Sequence, residues 1–131
     1  MAKKRILLVD DEPNVLKLLG KRLEFNNYEV ATAQNGKAGI AKTLEWKPDL
    51  IVLDLLMPDM DGIQVCKQLK ANQATSGIPV VMLTAAGIEN AEKIGLTAGA
   101  VAVINKPFLL DLIDKIGDIF RKIEAGESLD S

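Results

Sequence analysis

Apolar residues fall into two patterns along this chain. Four short runs are solidly aliphatic, Ile6 to Val9, Leu50 to Leu53, Val80 to Leu83 and Val101 to Ile104, and polar residues bound each one. Runs of this kind predict strands buried on both faces, as in parallel sheets. Tyr28 to Ala33 is more mixed and predicts a strand at a sheet edge. The segments between show helical spacing. A first helix begins at Pro13, a residue suited to an opening turn, carries Val15, Leu18, Leu19 and Leu23 on one face, and ends at Asn26 and Asn27. Asn35 and Gly36 turn into a second that runs toward Trp46 and is stopped by Pro48. Val65, Cys66 and Leu69 form a stripe after Asp61 and Gly62. Ile88 to Ala98 is helical with Ala91, Ile94 and Ala98 inward, and Gly95 inside it should soften the helix by about 1 kcal/mol relative to alanine. Leu109, Leu112, Ile113, Ile116, Phe120 and Ile123 make the cleanest stripe.

Five strands alternating with five helices predict a three-layer α/β/α domain, because parallel strand crossovers place helices on both faces of the sheet. The 131 residues fit one domain, residues 1–131, with a core over about 5–123 and a tail over 124–131 that is a frayed end or a truncated linker.

Composition narrows the field. With 48% hydrophobic and 26% charged residues the chain is an ordinary globule that needs no disulfide or metal staple. A formal net charge of −2 suggests neither nucleic acid nor an acidic membrane as a partner. Lys3, Lys4 and Arg5 form a basic arm too short for binding, expected as a solvated strand entry. The single cysteine, Cys66, cannot close an intrachain disulfide and is expected in the core. The first residues lack a secretion signal's apolar segment, and no stretch is long enough to span a bilayer, so the expected location is cytoplasmic. The chain contains no histidine, so any imidazole chemistry must come from a partner.

Polar groups follow the apolar runs: Asp10 and Asp11, then Asp54, Thr84 and Lys106. Parallel strands all end on one side, so these residues converge at the edge where open α/β sheets bind ligands. Three carboxylates within about 5 Å repel by roughly 3 kcal/mol per pair at an effective dielectric near 20, which a hard divalent cation relieves. Magnesium prefers oxygen ligands and retains waters, leaving room for a phosphoryl oxygen. Each residue also has a plainer reading. Asp10 and Asp11 could cap the helix that starts near Pro13, Asp54 could be a loop acceptor, Thr84 could bond its own backbone, and Lys106 could be a solvated amine. Taken singly, each is better explained that way; the joint arrangement favours a site.

LLVDDEP at 7–13, DLLMPDMDG at 54–62, LTA at 83–85 and GAVAVINKPF at 99–108 resemble response regulator receiver domains, over Arg5 to Ile123. The resemblance implies a flavodoxin-like fold with strand order 2-1-3-4-5. It implies a two-component or phosphorelay protein in which Asp54 takes a phosphoryl group from a phosphohistidine on a sensor histidine kinase or histidine phosphotransfer protein. The result is an aspartyl phosphate that shifts the surface of the fourth helix, fifth strand and fifth helix toward a downstream protein. Such a domain catalyses its own phosphorylation and dephosphorylation and is not an enzyme acting on another substrate. The implied cofactor is Mg²⁺, with Mn²⁺ a possible substitute. Asp11 and Asp54 would be direct ligands, the backbone carbonyl of Leu56 a third, and Asp10 an outer-shell partner. Lys106 would pair with Asp54 and then with the phosphoryl group, Thr84 would give its hydroxyl, and Ala85 its N–H. The Lys106–Pro107 bond would be cis.

Two departures stand out. The family commonly has Tyr or Phe where this chain has Val103, so the aromatic part of the switch is missing. Leu56 and Ala86, two positions after the acceptor and the threonine, cannot hydrogen-bond an attacking water, so slow self-dephosphorylation is expected. Rival classes fare worse. A flavin or nucleotide enzyme would want a glycine-rich loop where this chain reads Asp10, Asp11, Glu12, Pro13, and a haloacid-dehalogenase-like phosphatase needs a second aspartate where Leu56 stands. An adaptor that signals without phosphorylation is the closer alternative.

Overall fold

Aliphatic runs bury both faces only when layers of helix cover both sides of the sheet, and that is the arrangement found. The computed structural model describes residues 3–55, 57, 61–85, 89–105 and 109–129, with positions 109 and 110 described by backbone alone. Strands β1 (Arg5–Val9), β2 (Glu29–Ala33), β3 (Leu50–Asp54), β4 (Val80–Thr84) and β5 (Ala102–Asn105) form one parallel sheet in the order β2-β1-β3-β4-β5. The order matches the sequence expectation, with β2 at the edge. Helices α1 (Pro13–Phe25), α2 (Gly36–Trp46), α3 (Gly62–Ala71) and α4 (Ala91–Ala98) fill the crossovers, and α5 (Leu109–Glu124) follows β5.

Alternation along each strand divides the core in two. Ile6, Leu8, Leu50, Val52, Val81 and Leu83 pack with Leu16, Leu19 and Leu23 of α1 and Leu112, Ile116, Ile119 and Phe120 of α5. The intervening Leu7, Val9, Ile51, Leu53, Val80 and Met82 pack with Val65, Cys66 and Leu69 of α3 and Ala91 and Ala98 of α4. Burying each large aliphatic side chain contributes about 1.5–3 kcal/mol, so two such layers hold the sheet without a covalent tie. Cys66 is fully buried among them, and that burial raises its thiol above the ordinary value while the nearby Lys70 ammonium pulls it down. It is packing, as expected. Lys70 donates to the carbonyls of Ser76 at 3.1 Å and Ile78 at 2.6 Å, tying the end of α3 to the entry of β4, and its own burial lowers its pKa.

Three stripe positions differ from the sequence expectation. Leu18 is 53% exposed, because the inner face of α1 runs through Leu16, Leu19, Gly20 and Leu23. Ile123, at the last turn of α5, is exposed. In α4 the inner positions are Ala91, Gly95 and Ala98, and Ile94 points outward. The reason is steric: a Cβ at 95 would lie 2.5 Å from Val103 Cγ2, so the helix presses on β5 where a glycine stands and an isoleucine could not. Gly95 is therefore a packing requirement as well as a propensity cost. Ile88, expected in this helix, lies outside the described residues.

The termini of the helices have identifiable causes. Asn35 Oδ1 accepts from the Ala38 N–H at 2.8 Å, and Asp61 Oδ1 from the Gln64 N–H at 2.8 Å, each a side-chain N-cap. After α5 the Gly126 N–H reaches Ile123 O at 3.1 Å and the Glu127 N–H reaches Lys122 O at 2.8 Å, with Gly126 at φ 74°. That pair of bonds is the Schellman stop. Leu129, in the stretch expected as a frayed end or a truncated linker, packs on the α1 and α5 layer.

Candidate functional site

Register sets the heights of the functional groups. Val9 lies opposite Leu53, and Leu53 opposite Met82, so Asp10 and Asp54 leave or end adjacent strands at one level. Asp54 pairs with Leu83, one residue before Thr84, and Thr84 pairs with Asn105. Three of the expected groups therefore meet at the C-terminal edge of the sheet. Lys106 follows Asn105 in sequence but lies outside the described residues, together with Leu56, Ala86 and Pro107.

Burial distinguishes these groups from ordinary surface polars. Asp10 is 2% exposed, Asp54 5% and Thr84 1%, whereas Asp11 is half-buried and Glu12 and Ala85 are exposed. Carboxylates are rarely buried this far unless paired or coordinated. The Asp10 N–H donates to Ala33 O at 3.1 Å, continuing the sheet, and Asp10 Oδ1 accepts from the Glu12 N–H at 3.0 Å. That second bond turns the chain toward α1. The N-cap position of α1 is Glu12, in extended backbone and without a side-chain cap bond, ahead of Pro13. Asp10 thus bonds ahead of the helix, whose N-cap position belongs to Glu12.

Carboxylate oxygens of Asp10, Asp11 and Glu12 lie within 4.8 Å of one another. The sequence expectation named the first two and passed over Glu12, although three consecutive acids were there to be seen. Like charges this close repel, and three carboxylates that share one region are a fit for a hard divalent cation. Thr84 Oγ1 donates to the Ala85 carbonyl at 3.3 Å. This is long for O–H···O, where about 2.5–3.0 Å is usual, so the hydroxyl can exchange that acceptor for a better one at little cost.

Beneath β3, α3 begins unusually close. The Gly62 N–H donates to Leu55 O at 2.7 Å, and a Cβ on Gly62 would stand 2.3 Å from Asp54 O. The sequence places Gly62 only just ahead of the Val65, Cys66 and Leu69 stripe. No signal within one sequence reports such a contact, since its cause is the neighbour's backbone.

Chemically, the edge offers clustered anionic oxygens that could hold a cation, a buried carboxylate and a hydroxyl donor. Among the described residues no helix is long and apolar enough to cross a membrane.

A family model described as the response regulator receiver domain matches residues 6–116. The chain is similar to the transcriptional regulatory protein ResD of Bacillus subtilis, 48% identical over 104 residues, which are 79% of this chain and 42% of that protein. It is 45% identical over 105 residues to the alkaline phosphatase synthesis transcriptional regulatory protein PhoP of the same organism, covering 80% of this chain and 43% of that protein. Among solved structures it resembles a CheY-like response regulator receiver domain from Methanospirillum hungatei, at TM-score 0.86 and 32% identity over 95% of this chain and 98% of that one. The chain spans about half the length, or less, of the two curated relatives.

Proposed function

The chain belongs to the response regulator receiver domain family, and from that premise we propose that it is a phosphoacceptor whose nucleophile is Asp54. A buried carboxylate closing β3, level with the acidic cluster that follows β1 and one strand from a buried hydroxyl, is the observation that carries this reading. The donor is a phosphohistidine on a sensor histidine kinase or phosphotransfer protein, since this chain has no histidine of its own. An Asp54 carboxylate oxygen attacks phosphorus in line with the imidazole nitrogen. The P–N bond breaks as the P–O bond forms, the imidazole takes up a proton, and an acyl phosphate remains.

Little covalent help is available for such a transfer, so the protein's part is placement and charge. Asp10, Asp11, Asp54 and the carbonyl of Leu56 would hold magnesium, or manganese in its place, and Glu12 adds a further carboxylate to that group. The bound ion would supply charge neutralisation for the phosphoryl oxygens. Thr84 offers its hydroxyl and Ala85 its N–H to the transferred group, and Lys106 a compact positive charge. The consequence is a shift of the α4, β5 and α5 surface toward a downstream protein. ResD and PhoP are transcriptional regulatory proteins, which supports placing the chain as the receiving part of such a regulator, in the cytoplasm.

An adaptor that signals without phosphorylation is less well supported, because it gives no reason to bury Asp10 and Asp54 together. Intact-mass measurement after incubation with a small phosphoramidate and Mg²⁺ separates the two. One added phosphate in the natural chain and none in Asp54→Ala is the expected result; no addition to the natural chain overturns the proposal.

A further inference from the structure

Gly62 is in an ordinary backbone conformation, with no positive φ, so what its lack of a side chain provides is space. A Cβ there would lie 2.3 Å from the Asp54 carbonyl oxygen and 2.9 Å from Leu55 Cα. Both neighbours are main-chain atoms and neither can rotate aside. They are also fixed from the other direction, because the Leu55 N–H donates to Leu83 O at 2.8 Å and Asp54 pairs with Leu83 in the sheet. The start of α3 is fixed in turn by the Asp61 cap on Gln64 and by the Gly62 N–H bond to Leu55 O. The acceptor's peptide is thus held between β4 and the first turn of α3.

We infer that Gly62, with the Asp61 cap beside it, is a positioning residue for phosphoryl transfer: the bare first turn of α3 sets where Asp54 stands relative to the Asp10–Asp11–Glu12 cluster and Thr84. The inference rests on the phosphoacceptor reading above. Adding a methyl group forces α3 and the Asp54 peptide apart by about 1 Å before ordinary contact is restored. A misplacement of that size costs roughly 10²-fold in reactions governed by alignment. Asp54 is the group displaced, so the loss falls on the transfer rate and not merely on stability.

The test compares rates of phosphate gain by intact mass, at saturating phosphoramidate and Mg²⁺, for the natural chain, Gly62→Ala and Ile116→Ala. Ile116 is fully buried in the other layer, so its truncation loosens the fold without touching α3. Gly62→Ala is expected to react at least about tenfold more slowly, and Ile116→Ala within about twofold of the natural rate. A Gly62→Ala rate equal to the natural one, or an equal slowing in Ile116→Ala, overturns the inference. If Gly62→Ala does not fold, the cap decides: Asp61→Ala is expected to be slow and Asp61→Asn, which keeps the capping oxygen, to recover the rate. Asp61→Ala at the natural rate, or Asp61→Asn as slow as Asp61→Ala, overturns it. A natural chain that gains no phosphate overturns the phosphoacceptor reading and this inference with it, an outcome distinct from a labelled natural chain with an unimpaired Gly62→Ala.

Discussion

Two glycines allow two helices to press on the sheet, and the atoms they press against differ in kind. At the β3–α3 junction the space beside Gly62 is filled by the carbonyl of Asp54. At the α4–β5 contact the space beside Gly95 is filled by a methyl group of Val103, with Met82 Sδ further off at 3.4 Å. A backbone carbonyl inside a ladder cannot give way, whereas a half-buried valine at an edge strand can change rotamer or lean outward. The first contact is a fixed floor under Asp54. The second is a yielding joint on the face expected to carry the output, and it stands where an aromatic residue is common in the family.

That contrast predicts a ranking of effects. Gly62→Ala should cost the most, about 3 kcal/mol of unfolding free energy in urea, because overpacking against immovable atoms is the expensive kind. A loss below about 1 kcal/mol would mean the junction yields and the contrast is false. Gly95→Ala should cost less, about 1 kcal/mol net, since alanine's better helix propensity offsets part of the clash. Pairing it with Val103→Ala should recover most of that loss, giving a coupling of about 1 kcal/mol in a double-mutant cycle. Additive effects would show that α4 does not rest on Val103.

The smallest effect belongs to α5, which neither contact reaches. The hydrogen bond from Arg121 holds the Asp118 carboxyl below its ordinary value of 3.8, with Lys122 Nζ 3.4 Å from the other oxygen. A depressed carboxylate pKa means the folded chain binds fewer protons than the unfolded one just below 3.8. Its stabilisation is therefore complete above that pH and is lost as the pH falls through the lower folded value. Asp118→Asn should shift the melting temperature slightly at neutral pH and not at all once the natural carboxyl is protonated. A shift of equal size at both ends would assign the effect to packing.

Much of this molecule is legible in the order of its residues. Solid aliphatic runs such as Leu50 to Leu53 announce two buried faces, and the polar groups that follow them must then share an edge; Asp10, Asp54 and Thr84 do. Asp61 caps α3 within three residues, a contact of the local kind that the order of residues can announce. Errors arise where the deciding atom belongs to a distant segment. Ile94 and Gly95 fit helical spacing equally well, and Val103 chooses between them. Gly62 looks like any turn glycine until Asp54 is folded beneath it. Glu12 is a different case, because no distant atom decides it and its neighbours already marked an acidic loop.

The lone tryptophan, Trp46, sits at the far end of the sheet from the acidic edge, its ring 5.2 Å from Arg5 Cζ and its carbonyl bonded to Arg5 Nη1 at 2.9 Å. A five-residue strand at roughly 3.3 Å per residue separates that indole from the chemistry. Its emission consequently reports whether the foot of the sheet is intact while staying blind to events at the top, which makes it a clean optical gauge of unfolding and a poor one of ligation.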